Sequence, residues 1–198
     1  MKAKIKYILT ALLLLATLMP VASCSAKTPS NTSEQEKTGT LVAYFSAQGH
    51  TKAVAEKIAN ITGGDLFEIK PVDIYTEEDL DGWNESARGT RESKDRSTRP
   101  EIANSVDNFE RYDTIFLGFP IWWFTAPTII NTFLEGYDTE GKTIIPFATS
   151  GGSGYGETEK DLRVSAPKAI FKPGKVLNNM DETCLLYTSP SPRDGLLS

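Results

Sequence analysis

The chain has 198 residues, with 21 Lys+Arg, 26 Asp+Glu, a single histidine and two cysteines. A formal net charge of −5 argues against a nucleic-acid binder, which needs a basic face. One histidine rules out a multi-histidine metal centre.

The first residues read as a targeting segment. Lys2, Lys4 and Lys6 form a basic start, and Ile8 to Met19 an apolar run too short to span a bilayer comfortably. Val21-Ala22-Ser23-Cys24 places small residues directly before a cysteine, the pattern of a bacterial lipoprotein processing site. The expectation is a signal peptide over 1–23, lipidation of Cys24, a lipid anchor in the membrane and a place in the cell envelope outside the cytoplasm. Residues 24–39 are polar and without apolar period, as expected of a flexible tether. At the other end, Cys184-Leu-Leu-Tyr-Thr-Ser-Pro-Ser-Pro-Arg-Asp194 has no helical or strand period. It matches the translation of a common sequencing-library adapter, so 184–198 reads as an artefact tail and Cys184 carries no functional weight. No internal disulfide is expected.

Between these ends lie about 145 residues, the size of one domain. Thr40 to Thr183 holds 15 basic and 23 acidic residues, a net of −8, which suits docking onto basic partners. Apolar runs alternate with turn signals. Leu41 to Ser46 reads as a buried strand. Thr51 to Ile61 reads as a helix with Val54, Ala55, Ile58 and Ala59 on one face, closed by Gly63-Gly64. Leu66 to Ile69 is a second strand, stopped by Pro71. Residues 73–111 are polar, with helical stretches expected near 76–81 and 100–111. Within them, Asp81 to Arg96 reads as a solvated loop or helix face, and Trp83 as a packed side chain. Thr114 to Phe119 is a third strand, apolar on both faces as a central parallel strand should be. Ala126 to Leu134 is a helix opened by Pro127. Lys142 to Ala148 is a fourth strand, Glu157 to Arg163 a short helix, and Lys168 to Phe171 a fifth strand. Strands alternating with helices imply a parallel sheet covered on both faces. The ligand of such a sheet sits beyond the carboxyl ends of its strands.

Three loops occupy that position. In the first, Ser46 and Thr51 offer hydroxyls, Gln48 an amide, and Gly49 a close backbone approach ahead of a helix N-terminus. That chemistry suits a phosphate. The loop lacks the Gly-Lys-Ser/Thr ending of a nucleoside-triphosphate loop and the Gly-x-Gly-x-x-Gly dinucleotide turn. Read alone, it also fits an ordinary helix cap made by Thr51 or Ser46. The second loop, Pro120-Ile121-Trp122-Trp123-Phe124, puts two indoles at the end of a buried strand, where one can stack on a flat ring or both can pack under the next helix. The third, Thr149-Ser150-Gly151-Gly152-Ser153-Gly154-Tyr155, offers backbone amides to a ring edge and a second aromatic wall in Tyr155.

Together, Ser-x-x-Gly-x-Thr, Pro-Ile-Trp-Trp and Thr-Ser-Gly-Gly-Ser-Gly resemble the flavodoxin-like family, whose cofactor is flavin mononucleotide (FMN). The resemblance runs from Thr40 to about Asn178. It implies a three-layer α/β/α sandwich with a five-stranded parallel sheet in the order 2-1-3-4-5. It also implies that Ser46, Gln48, Gly49, His50 and Thr51 cradle the phosphate, and that Pro120, Ile121, Trp122 and Trp123 flank the ring. Thr149, Ser150, Gly151, Gly152 and Gly154 would then line the ring's pyrimidine edge. Two departures from the family pattern stand out. Phe124 replaces a small residue, often glycine, whose peptide can turn toward the flavin at positive φ, a conformation that Phe124 should resist. The family's final helix, which would follow Val176-Leu177, is expected to be absent. The resemblance implies an electron-transfer protein with a protein redox partner. An NAD(P)H-dependent FMN oxidoreductase of quinone-reductase type and a non-catalytic flavin-binding module are the alternatives.

Overall fold

The computed structural model describes residues 39–178. The expected signal peptide over 1–23, Cys24, the expected tether up to residue 38 and the expected 184–198 tail lie outside the described residues, while Gly39, read as the last tether residue, pairs with Tyr112 in the sheet.

Six strands form one parallel sheet: β1 (Gly39–Tyr44), β2 (Asp65–Glu68), β3 (Tyr112–Pro120), β4 (Thr143–Thr149), β5 (Ile170–Phe171) and β6 (Lys175–Val176). The order is β2-β1-β3-β4-β5, with β6 also on the outer side of β4. The fifth position is therefore one strand in two pieces, and Pro146 supplies the reason. Ile144 and Ala148 accept backbone hydrogen bonds from Lys172 and Leu177 on that side. Pro146, between them in the two-residue alternation, faces the same way and has no N–H to donate. The edge strand breaks opposite it, at Lys172-Pro173-Gly174.

Alternation divides the core in two. Leu41, Ala43, Phe45, Ile115, Leu117 and Phe119 pack on one face of the sheet. Val42, Tyr44, Phe116, Ile145 and Phe147 pack on the other, beneath α1 (His50–Thr62). Val54, Ala55 and Ile58 are the buried stripe of α1, and Gly63 ends it in the left-handed region at φ 66°. Helices α3 (Thr128–Glu135) and α4 (Thr158–Arg163) contribute Ile129, Ile130, Phe133, Leu134 and Leu162 to the first face.

The polar stretch between β2 and β3 differs from the expectation. Near 76–81 there is a single 3-10 turn, Glu78–Leu80, and over 100–111 only another, Phe109–Arg111. The helix in this stretch is α2 (Arg88–Lys94), inside the segment read as solvated. Its sequence, Arg-Gly-Thr-Arg-Glu-Ser-Lys, has no apolar stripe to announce it. Side-chain polar contacts dock it instead, with Glu92 and Thr90 buried. Trp83 is 96% exposed rather than packed.

Burial favours the neutral form of several phenols. Tyr44 is pushed up to about 12, by burial first and then by the Glu68 and Glu56 carboxylates. Burial raises Tyr75 and Tyr155 as well. A raised phenol means that the folded chain holds protons the unfolded chain releases above its ordinary value of 10. This stabilisation is complete below that value and is lost as pH rises through the folded one. The melting temperature should hold steady to about pH 9 and fall between about pH 10 and 12. A melting temperature that stays flat across that window would contradict the burial of these phenols.

Candidate functional site

The carboxyl ends of β1, β3 and β4 open into one cleft of about 730 Å³. Ser46, Gln48, Gly49, His50 and Thr51 from the first loop line it, together with Pro120, Ile121 and Trp122 from the second and Thr149, Ser150 and Gly151 from the third. Direct bonds stitch these loops together. Phe45 N–H donates to Gly118 O at 2.9 Å, and Ile121 N–H to Thr149 O at 2.7 Å. The hydroxyls of Thr51 and Thr149 lie 2.8 Å apart, linking residues 98 positions apart in the chain.

The first loop is built to leave donors free. Gly49 sits at φ 86° and turns the chain into α1, and no side chain caps the helix. The reading of Thr51 or Ser46 as an ordinary cap therefore gives way: the first-turn N–H groups of α1 have no side-chain partner. Thr51 is 1% exposed and its hydroxyl is committed to Thr149. In a pair of hydroxyls only one proton is used between them, so the other remains to meet a ligand. Among the described residues no carboxylate lines the cleft, while His50 and Lys57 do. Uncapped amides, hydroxyls, an amide side chain and one lysine make a donor set that fits a phosphate monoester.

Sequence reasoning missed several lining residues, chiefly Lys57, Leu80 and Asn178. Lys57 lies two turns into α1, outside the loop motif. Asn178 grips the third loop from both sides: its Oδ1 accepts from Ser150 N–H at 2.7 Å and its Nδ2 donates to Ser150 O at 2.6 Å. Nothing in its local sequence signals that role, because the contact spans 28 positions.

The two tryptophans part ways. Trp122 forms a wall of the cleft, meeting Phe45 and Tyr75 edge-on at ring separations of 5.7 and 5.1 Å. Trp123 is instead half exposed and lines a neighbouring pocket of about 300 Å³, which Trp122, Phe124 and Ser153 also border. Its Nε1 donates to Thr90 Oγ1 at 3.3 Å. Trp122 and Thr125 exchange backbone bonds at 2.9 and 3.1 Å, closing a tight turn around Trp123 at φ 48° and Phe124 at φ 65°. The expectation that Phe124 resists positive φ is thus corrected: the two-residue turn has positive φ at both central residues, as turns of the I′ kind require. Each carries a left-handed cost of about 1–2 kcal/mol, stored at the rim of the cleft.

Gly152, Gly154 and Tyr155 do not line the cleft. Gly152 and Gly154 are exposed on the loop beyond Gly151. The Tyr155 ring turns into the core toward Phe119, at a ring separation of 6.5 Å, rather than forming a second wall. An aromatic after a glycine run looks the same in sequence whether it faces the ligand or the core.

Residues 39–187 match the profile of the flavodoxin family. The chain belongs to that family. A candidate flavoprotein from Bacteroides eggerthii is 45% identical, with a TM-score of 0.73 over 76% of this chain and 94% of that one. A flavoprotein from Lactobacillus acidophilus, solved in complex with FMN, shares the fold at 24% identity and a TM-score of 0.60, over 77% of this chain and 99% of that one. Among curated relatives, the FMN-dependent NADH:quinone oxidoreductase 1 of Listeria monocytogenes (strain F2365) is 30% identical over 116 residues, 58% of this chain and 55% of that enzyme. The chain thus spans about half the length of the curated relatives it matches.

If the Thr51–Thr149 pair organises the cleft, Thr51→Val should be costly in two ways. It removes a buried partner from Thr149, at about 1–3 kcal/mol of stability. It should also weaken phosphate-ligand affinity about tenfold, as expected for one lost hydroxyl donor. Thermal melts and ligand titration check this, and unchanged affinity would remove Thr51 from the site.

Proposed function

We propose that the protein binds FMN non-covalently in the cleft and passes electrons to and from a redox partner. The observation that carries this reading is the convergence of three sequence-distant loops on one cleft, joined by the Thr51–Thr149 hydroxyl pair and lined by both the uncapped start of α1 and the Trp122 indole. Phosphate would rest on the α1 N-terminus beside Gln48, and Trp122 would bound the ring. Asn178 would hold the 149–151 loop at its edge. Bound FMN supplies a ring that takes up and returns electrons at potentials set by its surroundings. The residues at this site bind, orient and shield; none of them forms a nucleophile–base pair. The net negative charge supports docking onto a basic partner. The lipoprotein-type leader over 1–23, directly before Cys24, supports an envelope location on a lipid anchor.

A second reading is favoured by the relatives named as FMN-dependent NADH:quinone oxidoreductases. Enzyme and carrier separate in one assay. The FMN-loaded full chain is mixed with NADH and a soluble quinone, with no reductase added. The carrier reading predicts no sustained NADH oxidation, but reversible bleaching of the flavin by dithionite and air. Steady turnover of NADH would establish the enzyme instead. A bound flavin inert to dithionite would leave a non-catalytic binding module.

A further inference from the structure

Trp122 is held by more than packing. Tyr75, from the loop after β2, meets its edge at 71°, and Phe45 at 85°. The Tyr75 hydroxyl donates to Glu92 Oε2 at 2.6 Å, and Glu92 Oε1 accepts from Arg88 Nε at 2.7 Å. Arg88 in turn reaches Asp73, donating from Nη1 to its carbonyl at 2.9 Å and its carboxylate at 3.0 Å, and lies 4.1 Å over the Tyr75 ring. Glu92 is 8% exposed and Tyr75 is 7% exposed. At Gly89 the α2 backbone comes so close that a Cβ would stand 3.6 Å from the indole. A buried carboxylate is costly, and an apolar residue of similar size would pack this position at least as well. What the polar triad adds is direction: a tyrosine whose ring is pinned by its hydroxyl gives Trp122 a fixed edge to rest against.

We infer that Tyr75, Glu92 and Arg88 are positioning residues that set the orientation of the Trp122 indole as the ring wall of the cleft. The inference rests on the FMN reading above. It makes α2, a polar helix with no ligand contact of its own through these residues, the buttress of the site. The same helix holds the second tryptophan through Thr90.

The test uses full-length Tyr75→Phe and Glu92→Gln proteins. Tyr75→Phe keeps the ring but frees its end. The dissociation constants of FMN and riboflavin should both rise about five- to tenfold, as for one lost hydrogen bond, with their ratio unchanged because the phosphate end is untouched. The visible circular dichroism of bound flavin should change in shape. Glu92→Gln, which keeps one acceptor, should fall between wild type and Glu92→Ala. Unchanged affinity and visible dichroism in Tyr75→Phe would overturn the inference. So would losses that only track a falling melting temperature, which is what a purely structural role would give. If wild-type protein takes up no flavin, the FMN reading fails separately. The near-ultraviolet dichroism band lost in Trp122→Phe then judges the clamp: it should shrink in flavin-free Tyr75→Phe, and an intact band would overturn it.

Discussion

Trp122→Ala should raise the FMN dissociation constant about a hundredfold, or about 2.7 kcal/mol. The indole forms one wall of the cleft and is fixed edge-on between Phe45 and Tyr75. A planar ring laid against it would hide on the order of 100 Å² of apolar surface, which is about 2.5 kcal/mol, and aromatic geometry adds about 0.5–1.5 kcal/mol more. Alanine forfeits nearly all of this and lets water into the space. Riboflavin should suffer by the same factor as FMN, since the wall serves the ring rather than the phosphate. Trp123→Ala is the contrast. Trp123 turns to the neighbouring pocket, so its loss should change FMN affinity by less than about threefold. Flavin fluorescence titration of the two variants checks the split. Comparable losses in both would mean that the second pocket, not the first, receives the ring.

The second large effect is on the scaffold. Gly118→Ala places a methyl group 2.2 Å from Phe147 Cζ and 2.5 Å from Cε2. Gly118 and Phe147 are directly paired across β3 and β4, and the Phe147 ring lies over the glycine. That ring is 2% exposed, walled by α1 and its neighbours, and has no free volume to enter. Overpacking of this kind costs about 3 kcal/mol. The melting temperature should fall by roughly 10 °C for a domain of this size. Gly151→Ala is the control, because a Cβ there meets nothing within 4 Å. It should melt within about 2 °C of wild type. If Gly118→Ala melts there too, the packing of the two central strands is not as described.

The sheet was largely legible in sequence because its strands are apolar runs bounded by clear turn signals. Leu41-Val-Ala-Tyr and Ile115-Phe-Leu-Gly-Phe can hardly be anything but buried central strands. The first cleft loop was legible for the same local reason: hydroxyls and a glycine stand at the junction of strand and helix. What stayed hidden was non-local. Helix α2 has no apolar stripe, and its docking depends on Glu92 meeting Tyr75 across 17 positions. Asn178 grips a loop 28 positions away. The break in the fifth strand lies at its own Pro173-Gly174 and opposite Pro146, whose missing N–H shows only once the strands are paired. The Trp122–Thr125 turn defied local preference outright: a tryptophan and a phenylalanine occupy conformations that favour glycine, held there by the bonds that close the turn.

One cleft would hold both ends of a phosphorylated ring ligand. Parallel titration of the flavin-free full chain with FMN and with riboflavin tests it most directly. On this reading the phosphate end would rest on several uncapped amides and hydroxyls, so FMN should bind one to one and at least about a hundredfold more tightly than riboflavin. No uptake of FMN, or equal affinity for the two flavins, would contradict the account.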